Sequence, residues 1–333
     1  MSTQQMVATP FGRVDQPAVD WVKALAIVLI TNSHLDLLYP DVRMSAGGLL
    51  GNVLFFIASG YGLALGLDRP TAFWPWLRRR LMRVYVPVIL VGALGLLLFP
   101  VAYSRPNLDA FGYFIWPTPY WFVSAIVLFY PVYFWFWRCT DPRGRAMVLA
   151  ALLLAYVFFY ATQFDLAHKS IDSGGYFGWI FYLVVMLASG WLARNRAFTL
   201  RRAGYWAAAC FVSWASFKLL VGRFHLQSWQ FVLHLASAGF GFAVFCLFRQ
   251  AVDAPGLRRL MPLVLFLSSI SFEVYLVQRF LSENSVLQQI GWPWGVLAFW
   301  PLCFAMAWCA WWLGQRISTI LAGVGRHLQG AQP

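Results

Sequence analysis

Ten apolar runs of roughly twenty residues, separated by short polar segments, leave almost no part of this chain able to face water. They lie near 19–38, 48–67, 84–103, 119–137, 146–162, 176–193, 204–221, 229–248, 261–281 and 292–313. About twenty apolar residues is the length an α-helix needs to cross the hydrocarbon core of a bilayer. Only 11% of the residues are charged, against about 25% in soluble domains. The chain therefore predicts an all-α fold: a polytopic integral membrane helical bundle of about ten transmembrane helices.

The net charge is +13, which in a soluble protein would point toward nucleic acid. Here the cations follow alternate loops. Assigning those loops to the cytoplasm leaves Arg43, Arg105, Lys169, Lys218, Arg223 and Arg279, of 25 basic residues, on the outside. That bias puts both termini in the cytoplasm and removes the argument for nucleic acid. The expected division is a cytoplasmic N-terminal segment (1–18), a transmembrane domain (19–313) and a short cytoplasmic C-terminal tail (314–333). The first fifteen residues have neither an apolar core nor a small-residue cleavage site, so no removable signal peptide is expected. The five cysteines show no CxxC or zinc spacing, and no metal site is expected. Aromatic residues at run ends, in Phe73-Trp74-Pro75-Trp76 and Trp116-Pro117-Thr118-Pro119-Tyr120-Trp121, read as headgroup-level anchors and not as substrate platforms.

The informative residues are polar ones inside apolar runs, because each costs a few kcal/mol at mid-membrane unless it meets a partner or a wet cavity. In the first run Lys23 and His34 are eleven residues apart. On one helix this spacing returns to nearly the same face, with the imidazole about 16 Å farther from the cytoplasm than the cation. Taken alone, Lys23 can snorkel and His34 can bond a neighbouring helix; alternatively a desolvated, neutral imidazole can serve as a general base. Arg80 and Arg83, i and i+3 before the third run, can address one anion such as a phosphate. They equally fit an orientation signal or a contact to anionic lipid. In the ninth run Ser271, Tyr275 and Gln278 share one stripe, with Glu273 on another face. A carboxylate at that depth either orients a histidine or locks two helices.

These segments, in this order, resemble acyltransferase family 3, membrane acyltransferases that commonly modify cell-surface glycans. The basic residue and histidine separated by ten residues are Lys23 and His34. Gly51-Asn52-Val53-Leu54-Phe55-Phe56-Ile57-Ala58-Ser59-Gly60-Tyr61 is similar to the family's second span. Arg80-Leu81-Met82-Arg83 matches its RxxR motif, and Ser271-Phe272-Glu273-Val274-Tyr275-Leu276-Val277-Gln278 resembles its late serine–tyrosine–leucine–histidine signature. Two positions depart. Lys23 stands where arginine is usual, and Gln278, which cannot carry a proton near pH 7, where a histidine is common.

The resemblance implies an O-acyltransferase in a bacterial inner membrane, using cytoplasmic acyl-CoA, acetyl-CoA foremost, as donor substrate and no resident cofactor. The acceptor is expected to be a hydroxyl of a cell-surface glycan or its lipid-linked precursor. Lys23, Arg80 and Arg83 are the expected acyl-CoA contacts and His34 the base, oriented by Glu273 or Asp36. Ser59, Asn32, Tyr275 and Gln278 are substrate-positioning candidates. A covalent acyl-enzyme on His34 or Ser59 stays open, while Ser59-Gly60 has a packing role as its simpler reading. The competing class is a transporter or flippase of a glycan or lipid intermediate, in which the same ionisable residues line a path. The RxxR pair and the lack of a visible inverted repeat weigh against it.

Overall fold

The computed structural model describes residues 16–67, 71–98, 111–116, 120–163, 177–194, 202–224 and 229–329. Among the described residues there is helix and no strand. The helices are α1 (Gln16–Asn32), α2 (Gly48–Leu67), α3 (Phe73–Leu98), α4 (Trp121–Cys139), α5 (Pro142–Gln163), α6 (Phe177–Arg194), α7 (Ala203–Phe224), α8 (Gln230–Ala251), α9 (Pro255–Ser282), α10 (Ser285–Ile290) and α11 (Trp294–Gln329). Each predicted run overlaps one helix, and α10 is an extra short one. Seven are long and apolar enough to cross a membrane by length and composition: α2 with the 3₁₀ turn before it, α3, α4, α5, α8, α9 and α11. Apolar 178–193, within α6, is shorter, and α1 and α7 are not among the seven.

The edges of the runs move in ways that matter. α1 ends at Asn32, six residues before the predicted edge, so His34 is not on the helix and the shared-face argument with Lys23 does not apply to it. α3 begins at Phe73, eleven residues early, which brings Arg80 and Arg83 inside the helix. α11 continues to Gln329, so the segment taken as a tail from 314 begins within a helix. Arg13, Arg69, Arg105, Lys169, Arg196 and Arg201, used for orientation, lie outside the described residues.

Without a hydrophobic drive between helices in lipid, close packing and hydrogen bonds hold a bundle together. α1 and α2 are antiparallel and close because of glycine: a Cβ on Gly51 would stand 2.7 Å from Ile30 Cγ1, and one on Gly48 2.7 Å from Ser33 Oγ. Farther along α2, Gly60 leaves no room for a Cβ against the Met186 carbonyl and Ser189 hydroxyl of α6. The Gly60 carbonyl also accepts a 2.6 Å hydrogen bond from Tyr133 of α4. α1 and α9 run parallel. Near the start of α1 and the middle of α9 the Ser268 hydroxyl donates to Asp20 Oδ1 at 2.6 Å, and near the ends of both, Arg279 and Glu283 act on His34.

The core is aromatic where α2, α4, α6 and α9 converge. Phe56 stacks on Tyr182 at 5.0 Å and meets Phe122 at 4.8 Å, and Phe122 meets Tyr275 edge-on at 5.5 Å. Such pairs contribute roughly 0.5–1.5 kcal/mol each beyond simple burial. α5 and α7 instead turn Leu154, Phe158, Trp206 and Leu219 outward, the arrangement a hydrocarbon solvent favours.

The bundle has two unlike ends. Arg78, Arg79, Arg80 and Arg83 of α3 lie at one, beside Arg138 of α4, which donates to the Thr71 carbonyl at 3.3 Å. The end of α8 joins them, since Phe248 stacks on Trp21 of α1 at 5.2 Å. At the far end the segment between α1 and α2 is folded down by Asn32. Its amide donates to the carbonyls of Met44 and Ala46, both at 2.9 Å, and its oxygen accepts from the Tyr39 hydroxyl at 2.6 Å. Gly47, at φ +112°, supplies the backbone turn into α2 that a residue with a Cβ rarely adopts.

Candidate active site

At the basic end the structure brings together the three cations singled out in the sequence. Electrostatic coupling links Lys23 of α1 to Asp20 on its own helix and to Arg83 and Arg80 of α3. Arg80 is half-buried, with its guanidinium over the Trp76 ring at 5.9 Å. A Cβ on Gly66 would stand 2.7 Å from a terminal nitrogen of Arg80. Arg83 is exposed. None of the three forms an ion pair with a described residue. Asp20, buried, accepts from Ser268 and from the Gln16 amide at 3.3 Å. Three cations from two helices facing one carboxylate leave positive charge to be met by an anion, and guanidinium forks suit phosphate.

At the other end His34 follows α1 in a turn, with its backbone amide bonded to the Thr31 carbonyl at 3.0 Å. Its side chain opens into a cavity of about 720 Å³. The ring is exposed toward that cavity and enclosed by protein elsewhere. That enclosure, with Arg279 adding to it, pushes the imidazole below its ordinary pKa, while Asp36 and Glu283 act the other way. The net effect keeps a proton-accepting nitrogen at neutral pH. From Lys23 to the end of α1 is nine residues, roughly 13 Å of helix, so a single helix ties the two ends together.

The cavity walls come from several segments, the loop at 45–47 among them. Ser33 and His34 follow α1, and Gly48 and Asn52 are on α2. Trp121 and Ser124 are on α4 and Trp179 and Tyr182 on α6, while Trp214 and Lys218 come from α7 and His234 from α8. Trp116 adds a further indole. The reading of Trp116 and Trp121 as anchors is thereby corrected: both turn inward onto the cavity. Of the other aromatic pair, Trp74 is exposed as an anchor would be, but Trp76 is buried, with its ring 5.2 Å from Phe134. Run-end position is shared by anchors and pocket walls, and only the packing of neighbouring helices separates them.

The remaining predicted residues are spread more widely. Asp36 acts electrostatically on His34, whereas Glu273 does not; the second carboxylate there is Glu283, paired with Arg279 at 3.6 Å. Glu273 is buried six residues before Arg279 on α9, roughly 9 Å back toward the basic end, so it is not the group that orients this imidazole. Ser59 stands eleven residues, roughly 16 Å, down α2 from Gly48 at the cavity, at the depth of the cation set, and is not a cavity residue. Asn32 holds the loop and Tyr275 packs against Tyr120 and Phe122. Gln278 is buried with no partner for its amide oxygen among the described residues. His234, Lys218 and Ser124 were not singled out from the sequence. The first two are ionisable groups inside apolar runs, the same signal that drew attention to His34.

His234 is fixed in the wall by a 2.8 Å hydrogen bond between Nδ1 and the Tyr156 hydroxyl and by stacking on Phe181 at 4.6 Å. Among the described residues no three His, Cys, Asp or Glu side chains gather as a metal would require.

Comparison with curated proteins and with solved structures gives no match. The family model described as an acyltransferase domain matches residues 16–315. That span begins with α1 and ends within α11, taking in both the cation set and the His34 cavity, and the chain belongs to acyltransferase family 3 as a membrane acyltransferase.

Proposed function

We propose that this protein is an O-acyltransferase of a bacterial inner membrane, with both termini in the cytoplasm. It moves an acyl group, acetyl being the expected one, from cytoplasmic acyl-CoA to a hydroxyl of a cell-surface glycan or its lipid-linked precursor. The observation that carries the reading is the pairing of two unlike sites on α1. Lys23 joins Arg80 and Arg83 at one end, and His34 faces an indole-lined cavity at the other. The donor's phosphates dock on the two arginines and Lys23, with Asp20 favouring the charged form of Lys23 electrostatically. The acyl-thioester arm extends toward His34 while the acceptor occupies the cavity.

In the chemical step the acceptor oxygen attacks the thioester carbonyl as His34 takes its proton. The carbon–sulfur bond breaks, and the imidazolium returns the proton to the departing thiolate. The products are the ester and free coenzyme A, with His34 neutral again. Burial and Arg279 favour the neutral base in the resting protein, and Asp36 with Glu283 stabilises the imidazolium that forms transiently. Holding the acceptor hydroxyl between the thioester carbonyl and the imidazole supplies the orientation on which such transfers depend.

The test is label transfer from radioactive acetyl-CoA to surface glycan. Membranes from cells lacking the gene are complemented with wild-type or His34→Ala protein at equal abundance. Label restored by wild-type alone supports the reading. Equal restoration by both removes His34 from the chemistry, and no restoration by wild-type removes acetyl transfer to glycan.

A further inference from the structure

The far-end cavity carries a charge its aromatic lining does not explain. Among the described residues no Asp or Glu lines it, whereas Lys218 does. Two other cations expected on that side are already neutralised: Arg43 is paired with Asp41 and Arg279 with Glu283. Lys218 has no acidic partner among the described residues, and its ammonium sits over the Trp214 ring at 5.3 Å. A second group points the same way. Ser124 lines the cavity, is 2% exposed, and its hydroxyl has no hydrogen-bond partner among the described residues. A buried hydroxyl left so is costly unless a ligand or water completes it.

Indoles such as Trp121 and Trp179 in the lining suit the C–H faces of sugar rings, and the Lys218 ammonium over Trp214 suits an anion. We infer that the acceptor is an anionic glycosyl unit, a sugar bearing a carboxylate or phosphate, whose charge is met by Lys218, whose hydroxyls reach Ser124 and whose ring lies on the indoles. This rests on the reading of the cavity as the acceptor site. It adds that acceptor choice is governed by charge at the α7 wall.

The test is calorimetric binding to the full-length protein in nanodiscs of zwitterionic lipid, without acyl-CoA. Three probes share the same two rings: cellobiose, cellobiouronic acid and 6′-phosphocellobiose. At low ionic strength at least one anionic probe is expected to bind about tenfold more tightly than cellobiose, with the preference falling as salt is raised. The tighter of the two anions identifies carboxylate or phosphate as the natural charge. Lys218→Met should abolish the preference while leaving cellobiose binding, Lys218→Arg should keep it, and Ser124→Ala should weaken all three probes alike. Equal affinity for the three, no binding of any, or an undiminished preference in Lys218→Met overturns the inference. Charge-selective binding by a protein that transfers no acetyl to surface glycan would keep the anionic site and remove the acyl-transfer reading. Transfer without charge preference would do the reverse.

Discussion

Gly66 of α2 makes room for Arg80 of α3: a Cβ at Gly66 would stand 2.7 Å from a terminal guanidinium nitrogen. Because the neighbour is the far end of a flexible side chain, alanine there asks for only a small shift. A larger side chain would turn the guanidinium away. Gly66→Leu is expected to raise KM for acyl-CoA about tenfold, about 1.4 kcal/mol, with kcat less affected. Steady-state kinetics on purified protein decides it; an unchanged KM would separate Arg80 from donor binding.

Arg80 and Arg83 contribute forks as well as charge, and neither forms an ion pair with a described residue. Replacing Arg80 with alanine should weaken acyl-CoA binding by roughly 1.5–3 kcal/mol, the scale of a hydrogen bond to a charged group. Arg80→Lys should lie between the two, because it keeps the charge and loses the bidentate geometry. Titration with a non-hydrolysable acyl-CoA analogue reads both. Affinity unchanged in Arg80→Ala would assign the cluster to membrane orientation.

His34 is held below its ordinary pKa by enclosure first and Arg279 second. A base must be unprotonated to act, so transfer should rise with pH through a midpoint below the usual histidine value of about 6.5 and be level by neutrality. Removing the cation in Arg279→Gln should move that midpoint up, and removing an acid in Asp36→Asn should move it down. His34→Ala should lower kcat roughly a hundredfold to ten-thousandfold without altering KM for acyl-CoA. A pH profile indifferent to both neighbours would show that a different group titrates.

Asn32 spends its amide on two carbonyls of the loop before α2 and its oxygen on Tyr39. Asn32→Leu leaves those groups without their partner and should cost roughly 1–3 kcal/mol, seen as a lower melting temperature in detergent. Because the loop forms one cavity wall, acceptor KM should rise while acyl-CoA KM holds. A variant with normal stability and a raised acyl-CoA KM would contradict this division of the molecule.

Much of the architecture was legible without coordinates because the bilayer allows few solutions. A run of some twenty apolar residues with no aqueous partner for its backbone has to become a helix, and the runs around α2, α4 and α8 reappear with nearly the predicted edges. Local motifs were legible for a similar reason. Arg80 and Arg83 are three residues apart on any helix, so their common direction needs no tertiary information.

What the tertiary structure decided was which distant residues meet. Lys23 and Arg80 come from separate helices, and nothing in either segment states that they meet at one end of the bundle. Trp116 and Trp121 have the composition of headgroup anchors, yet α6, α7 and α8 close around them into a cavity. Glu273 and Glu283 are ten residues apart on one α-helical stretch and its cap. Sequence offered Glu273 or Asp36 as the partner of His34, and the register between parallel α1 and α9, with Ser268 on Asp20, brings Glu283 and not Glu273 within electrostatic reach of that imidazole. Helix formation is a local response to an apolar solvent, whereas the assembly of a site depends on packing between faces far apart in the chain. The sequence therefore determined the bundle and its motifs, and the register between helices decided which residues meet at the candidate site.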